Sequence, residues 1–229
     1  MPQTSQNSST DKWLWVLIPA LFVQLVGAGL YFLWKPEWSF FLYPATKVLM
    51  LSLPIGVFFL KWRLPSIRVS SKKAGWVTAI VASLIYVSLA TLLWNLLPGL
   101  FSPYEEAVRE TVLRIGIQEF FILFAVFLSL AHSLFEEYYW RSFVFRGLLL
   151  KTTFLPAALI SSIAFSSHHV IVLAQFTPLW MAIGISILIA GMGIFWCWLY
   201  QRSGSLLPVW LNHAIVDMTV MTIGYLMIT

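Results

Sequence analysis

A single cysteine among 229 residues excludes an intrachain disulfide framework and any site built from several thiolates. Charge is equally scarce. Asp, Glu, Lys and Arg make up 10% of the chain, too little to cover the surface of a soluble domain. No basic stretch has the interleaved polar positions of a nucleic-acid face, so the net charge of +5 reads as loop charge, and no nucleic-acid partner is expected. The His-Glu-x-x-His pattern of helical zinc proteases is missing. So is any internal repeat of the kind expected in a transporter built from two similar halves.

What remains is apolar: 60% of residues are hydrophobic and 17% aromatic, with a mean hydropathy of +0.85. This composition predicts an all-α, polytopic transmembrane helical bundle forming one domain. Residues 1–12 are rich in Ser, Gln and Thr and lack an Ala-x-Ala cleavage pattern, so they read as a disordered cytoplasmic tail and not as a cleaved signal peptide. The transmembrane domain is expected over 13–229, in about seven spans of roughly 20 residues. These are Trp13 to Trp34, Trp38 to Trp62, Ala74 to Leu97, Ile117 to Phe135, Phe154 to Leu173, Leu179 to Tyr200 and Leu206 to Ile228. Lys35-Pro36-Glu37 forms the turn between the first two spans. Lys47 in the second is expected to snorkel toward the interface.

Lys61, Arg63, Arg68, Lys72 and Lys73 share a loop without an acidic residue, which places that loop and the N-terminus on the cytoplasmic side. Ser102-Pro103-Tyr104-Glu105 has the form of a helix start, with Ser as N-cap and Glu closing a capping box. The amphipathic helix it begins is expected to lie along the outer interface. The fourth span should continue as helix past Phe135 through Arg146, because no Pro or Gly interrupts it before Gly147. Gly184, Gly191 and Gly193 are expected to allow close helix contacts.

Chemistry concentrates on three spans. The fourth carries Glu136, Glu137 and Arg141, the fifth His168 and His169, and the seventh Asn212, His213 and Asp217. An ionised side chain at mid-membrane costs roughly 2.5–3.5 kcal/mol on insertion scales, so such residues pair and usually serve a function. On a helix, Glu137 and Arg141 are one turn apart in the favourable order, while Glu136 points about a quarter turn away. A lone His132 or Gln24 is explained well enough by an interhelical hydrogen bond of about 1 kcal/mol. Convergence of carboxylates with imidazoles from two further helices is different: it is the inventory for activating water and steadying an oxyanion, or for binding a divalent metal.

Glu136-Glu137-x-x-x-Arg141, Phe165-x-x-x-His169 and His213-x-x-x-Asp217 resemble, in order and placement, the three motifs of the CPBP intramembrane proteases. That group includes type II CAAX prenyl endopeptidases and bacteriocin-processing or self-immunity proteins. The resemblance covers 117–229 and implies an intramembrane, glutamate-dependent endopeptidase acting on a membrane-anchored protein or peptide within the lipid bilayer. It implies Glu136 and His169 as activators of water, Glu137 and Arg141 as supports of that base, and His213 with Asp217 as stabilisers of the oxyanion. Phe165 and Asn212 are candidates for substrate contact. The family commonly has Asn at the last position; an ionised Asp217 accepts hydrogen bonds only, so it would orient His213 or act protonated. A metal-free mechanism is expected, with zinc the alternative. The expected location is a bacterial inner or plasma membrane. A competing reading from the residues alone is a transporter or proton relay, or a non-catalytic immunity or scaffold protein, using the same polar cluster.

Overall fold

A computed structural model of the chain describes residues 4–34, 38–59, 64 and 71–229. Lys35-Pro36-Glu37 and the basic loop residues Lys61, Arg63 and Arg68 lie outside the described residues. The described residues form helices and no strand, as the apolar composition requires: without water to satisfy backbone groups, a membrane-spanning segment must bond to itself. We label the helices α1 (Thr4–Ala28, extended by a wider π turn, Gly29–Trp34), α2 (Ser39–Phe59), α3 (Lys72–Leu96) and α4 (Glu105–Arg114). The remainder are α5 (Gln118–Leu148), α6 (Phe154–Leu173), α7 (Leu179–Ser203) and α8 (Leu206–Ile228).

Six helices are long and apolar enough to cross a membrane, and α2 contributes a shorter apolar stretch, Ala45–Phe59. At 1.5 Å per residue that stretch reaches about 22 Å, short of a hydrocarbon core of roughly 30 Å. Among the described residues the second span is therefore the shortest apolar stretch of the expected seven. Helical backbone begins at Thr4, so most of the segment expected to be a tail continues the first span. Between Ser5 and Lys12 there is neither Pro nor Gly, and each added residue gains a bond once the helix exists. Large side chains such as Trp15, Phe58, Leu84, Leu123, Trp180 and Leu188 are exposed on the outside of the bundle, where lipid tails are their natural solvent.

Ser102 does not cap α4. It opens a tight 3₁₀ turn, Ser102–Tyr104, in which the Tyr104 N–H bonds to the Phe101 carbonyl at 2.9 Å, and the α-helix starts at Glu105. Tightening the chain into successive turns after Pro98 moves the start past the Ser-Pro pair. α4 buries Thr111 and Val112, and Val112 joins Phe121 and Ala125 in a small cluster with Met221 and Ile228 of α8. The main core is larger and centres on α5, whose Tyr139, Trp140, Phe143, Val144 and Phe145 are wholly buried.

Close approach depends on particular small residues. A Cβ on Gly193 would stand 2.8 Å from Ser162 Oγ, and one on Gly75 would stand 2.4 Å from Ser203 Cβ. Those glycines bring α7 against α6 and α3 respectively. Gly184 and Gly191, expected to act alike, have no neighbour within 4 Å of a built Cβ, because they lie on other faces of α7. Cys197 is buried, 3.6 Å from Ser161 Oγ, and behaves as a small core residue.

Candidate active site

Helix α5 runs 31 residues, about 46 Å at ordinary helical rise, and must tilt to fit the bilayer. It is not uniform. Two π-type turns, Leu128–His132 and Tyr138–Phe145, flank the regular turn Ser133–Glu137. A π turn displaces carbonyls from their usual partners, and such turns collect at functional sites. Side chains take up the slack. Ser133 Oγ donates to the Ser129 carbonyl, and Ser142 Oγ donates to the Tyr138 carbonyl. Trp210 Nε1 of α8 donates to the Leu130 carbonyl at 2.8 Å. That last bond also ties α8 to the widened part of α5, beside the carboxylates.

Adjacent residues on a helix diverge by about 100°, and the two glutamates accordingly serve different surroundings. Glu136, 2% exposed, turns toward α1 and α2. Its Oε1 accepts from Gln24 Nε2 at 2.6 Å and stands 3.2 Å from His132 Nε2. Lys47 Nζ and His168 Nε2 are each 4.0 Å from the same oxygen. Oε2 faces the other way, 4.0 Å from His213 Nε2. Lys47 thus points inward and does not snorkel. In apolar surroundings attraction to a carboxylate is much stronger than in water, which favours this orientation.

Glu137 is fully buried and organises the opposite side. Its Oε1 is 2.8 Å from His213 Nδ1, and its Oε2 is 3.1 Å from Arg141 Nε. The guanidinium also lies over the rings of Phe165 at 4.8 Å and Trp196 at 5.0 Å. The contact with Glu137 is an ion pair without hydrogen-bond alignment, and among the described residues no guanidinium nitrogen has a hydrogen-bond partner. Glu137 thus lies between His213 and Arg141, on the side of the cluster away from Gln24 and Lys47. The Trp196 ring stacks on His213 at 4.1 Å and 24°, so the imidazole is fixed in plane as well as at Nδ1.

Asp217 Oδ1 is 3.5 Å from His213 Nε2, the geometry of a residue that orients the imidazole. Of the two histidines on α6, His168 is the one near Glu136. His169 makes no ion pair with either carboxylate among the described residues; its ring lies 4.0 Å from that of His168 and 5.2 Å from Phe165. One residue of helical rotation accounts for the exchange. Phe165 is 1% exposed and packs edge-on to Trp140, Trp196, His168, His169 and His213. It is the hub of the cluster, with almost no surface to offer a substrate.

Asn212 is also turned away. Its Oδ1 accepts from Trp196 Nε1 at 2.8 Å, and its Nδ2 donates to Ser83 Oγ at 2.8 Å and the Ala79 carbonyl at 3.3 Å. With both ends of its amide bonded, it joins α8 to α7 and α3 and has no exposed surface for the expected substrate contact. Sequence reasoning gave Gln24, Lys47 and His132 no part in the site. For Gln24 and Lys47 the only signal available was that each is polar within an apolar run; His132 also precedes Glu136 by one turn on the same helix face, within reach of a hydrogen bond but read as a structural role at most.

Residues 118–219 match the family described as type II CAAX prenyl endopeptidase Rce1-like. That segment is similar to the family. The matched segment takes in all three motifs, from Glu136 to Asp217, so the similarity to this family of CAAX-type proteases covers the cluster. With six apolar helices long enough to cross a bilayer, the protein is an integral membrane protein. Gln24 and Lys47 fall outside the matched residues although both reach Glu136. No curated protein and no solved structure matches the chain.

Among the described residues no group of three or more His, Cys, Asp or Glu side chains is placed to hold a metal ion. Both oxygens of Glu137 and one of Glu136 are committed to His213, Arg141 and Gln24.

Proposed function

We propose that this protein is a glutamate-dependent intramembrane endopeptidase that hydrolyses a peptide bond in a membrane-associated protein, with Glu136 as general base. The observation that carries this reading is the 4.0 Å separation of Glu136 Oε2 from His213 Nε2. Two hydrogen bonds of about 2.8 Å meeting at roughly 90° span that gap, enough for one water. Glu136 Oε2 takes a proton from this water as its oxygen attacks the scissile carbonyl carbon. The carbonyl electron pair moves to oxygen, where the Nε2–H of His213 meets it. Collapse then breaks the carbon–nitrogen bond, and Glu136 returns the proton to the leaving amine.

Each support has its part in this scheme. Glu137 holds the proton on His213 Nδ1 and fixes the ring, a role analogous to a carboxylate orienting an imidazole in other hydrolases. Asp217 keeps Nε2 oriented until an oxyanion forms, replacing the donor that Asn would supply. His168, with His169 stacked on it, walls the base on the α6 side. His132, Lys47 and Asp217, with side chains 17%, 20% and 18% exposed, mark the side by which substrate reaches the buried glutamates. The basic residues of the loop sequence support an N-terminus on the cytoplasmic side of the membrane.

The test is cleavage of a membrane-anchored reporter by the protein reconstituted in lipid vesicles. Wild type cleaves. Glu136→Gln should lose about 10²–10⁴-fold in rate, as loss of a general base does, and His213→Ala about 10²–10³-fold, as loss of an oxyanion donor does. Unchanged cleavage by either variant removes the role assigned to that residue.

A further inference from the structure

Glu136 is held by a residue that the Rce1-like segment does not contain. Gln24, on α1 and 4% exposed, lies between two groups of α5. Trp140 Nε1 donates to Gln24 Oε1 at 2.7 Å, and Gln24 Nε2 donates to Glu136 Oε1 at 2.6 Å. An indole N–H can only donate, so it selects the amide oxygen and leaves the amide nitrogen facing the carboxylate. The orientation of Gln24 is therefore dictated by chemistry. The bond to Oε1 in turn fixes the rotation of the carboxyl group and presents Oε2 to His213 Nε2.

We propose that Gln24, oriented by Trp140, is a positioning residue for the Glu136 carboxylate, so that the site needs α1 as well as the three motif helices. This rests on Glu136 being the base. Tyr139 strengthens the same junction: its hydroxyl donates to the Ala20 carbonyl at 2.7 Å, one turn before Gln24, and keeps α1 in register with α5. Gln24 does not touch the space between Glu136 Oε2 and His213, so its loss acts on the chemical step and not on substrate affinity.

The experiment compares Gln24→Met, Gln24→Glu, Trp140→Phe, Gln24→Met/Trp140→Phe and Glu136→Gln in vesicles, using the membrane-anchored reporter at several concentrations. Gln24→Met keeps the shape and removes the donor; kcat should fall about 10–100-fold, the usual cost of losing an outer-shell partner, with KM within about twofold. Gln24→Glu keeps the acceptor for Trp140 and turns a carboxylate oxygen toward Glu136, so its kcat should fall at least as far. Trp140→Phe releases the amide and should give a smaller loss in kcat. The double variant should match Gln24→Met alone, because the two act as one chain. Should one Gln24 variant not accumulate, the other carries the same prediction. An inactive Glu136→Gln beside a fully active Gln24→Met or Gln24→Glu overturns the positioning role alone, as does a change confined to KM. An active Glu136→Gln overturns the base assignment and the positioning role with it.

Discussion

Replacing Arg141 by Met tests how the buried charge is balanced. Arg141 is 1% exposed and Glu137 has no exposed surface, and their charged groups meet at 3.1 Å. Breaking a buried pair from one side typically costs about 3–5 kcal/mol, because the other charge stays behind. The contacts over Phe165 and Trp196 add about 0.5–2 kcal/mol each. His213 remains against Glu137 in the variant and offsets part of this, so we expect a net loss of about 3–5 kcal/mol. That is a large share of a stability of roughly 5–15 kcal/mol. Unfolding in mixed micelles, followed with increasing denaturing detergent, measures it, and reporter cleavage in parallel should fall because His213 loses a fixed partner. In a Glu137→Gln background the same substitution should cost only about 1–2 kcal/mol, since no charge is stranded. Arg141→Lys should fall between, keeping the charge but losing the flat stacking of the guanidinium. If Arg141→Met costs under about 1 kcal/mol, or costs the same with Glu137 and with Gln at 137, the reasoning is refuted.

Other substitutions separate scaffold from chemistry. Asn212→Leu removes bonds to Trp196, Ser83 and the Ala79 carbonyl and should destabilise by about 2–3 kcal/mol, at about 1 kcal/mol per bond. Cleavage per folded molecule, measured at low temperature, should change little, which would bear out its structural role. Gly193→Ala places a Cβ 2.8 Å from Ser162 Oγ and should cost about 1–3 kcal/mol through overpacking of α6 against α7; Gly184→Ala, with open space beside it, should be neutral in the same unfolding assay. Asp217→Asn keeps an oxygen for His213 Nε2 and adds a donor, so its kcat should stay within about threefold of wild type, whereas Asp217→Leu should lower kcat about tenfold, the scale of a lost orienting partner.

The helical bundle was legible because composition alone forces it: runs as apolar as 179–203 and 206–228 have no other stable form in a membrane. The pairing of Glu137 with Arg141 was legible for a local reason, since both are on one helix one turn apart. Contacts between helices were not. Whether His168 or His169 meets Glu136 depends on the rotation of α6 about its axis, and its polar residues come as adjacent pairs (Ser161 and Ser162, Ser166 and Ser167, His168 and His169) that mark no single face from which to read that rotation. Asn212 looked like a pocket residue because it precedes His213, yet a 100° step carries its amide to Ser83 on α3. Gln24 and Lys47 were hidden for a further reason. Gln24 is the lone amide of its span and Lys47 the lone charge of its helix, and only the approach of α1 and α2 to α5 turns them into part of the site. The π turns of α5 were equally invisible, because they rest on serine-to-carbonyl bonds and on Trp210 from a helix far away in sequence.

The most direct test of the central claim, that Glu136 drives water onto a peptide bond inside this bundle, is mass spectrometry of reporter fragments produced in ¹⁸O-labelled water. Wild type should release a fragment whose new terminal carboxylate carries one ¹⁸O, and Glu136→Gln, folded to the same extent, should release none above background. Labelled product from Glu136→Gln at the wild-type rate, or no cleavage by wild type of any membrane-anchored peptide supplied, would contradict the account.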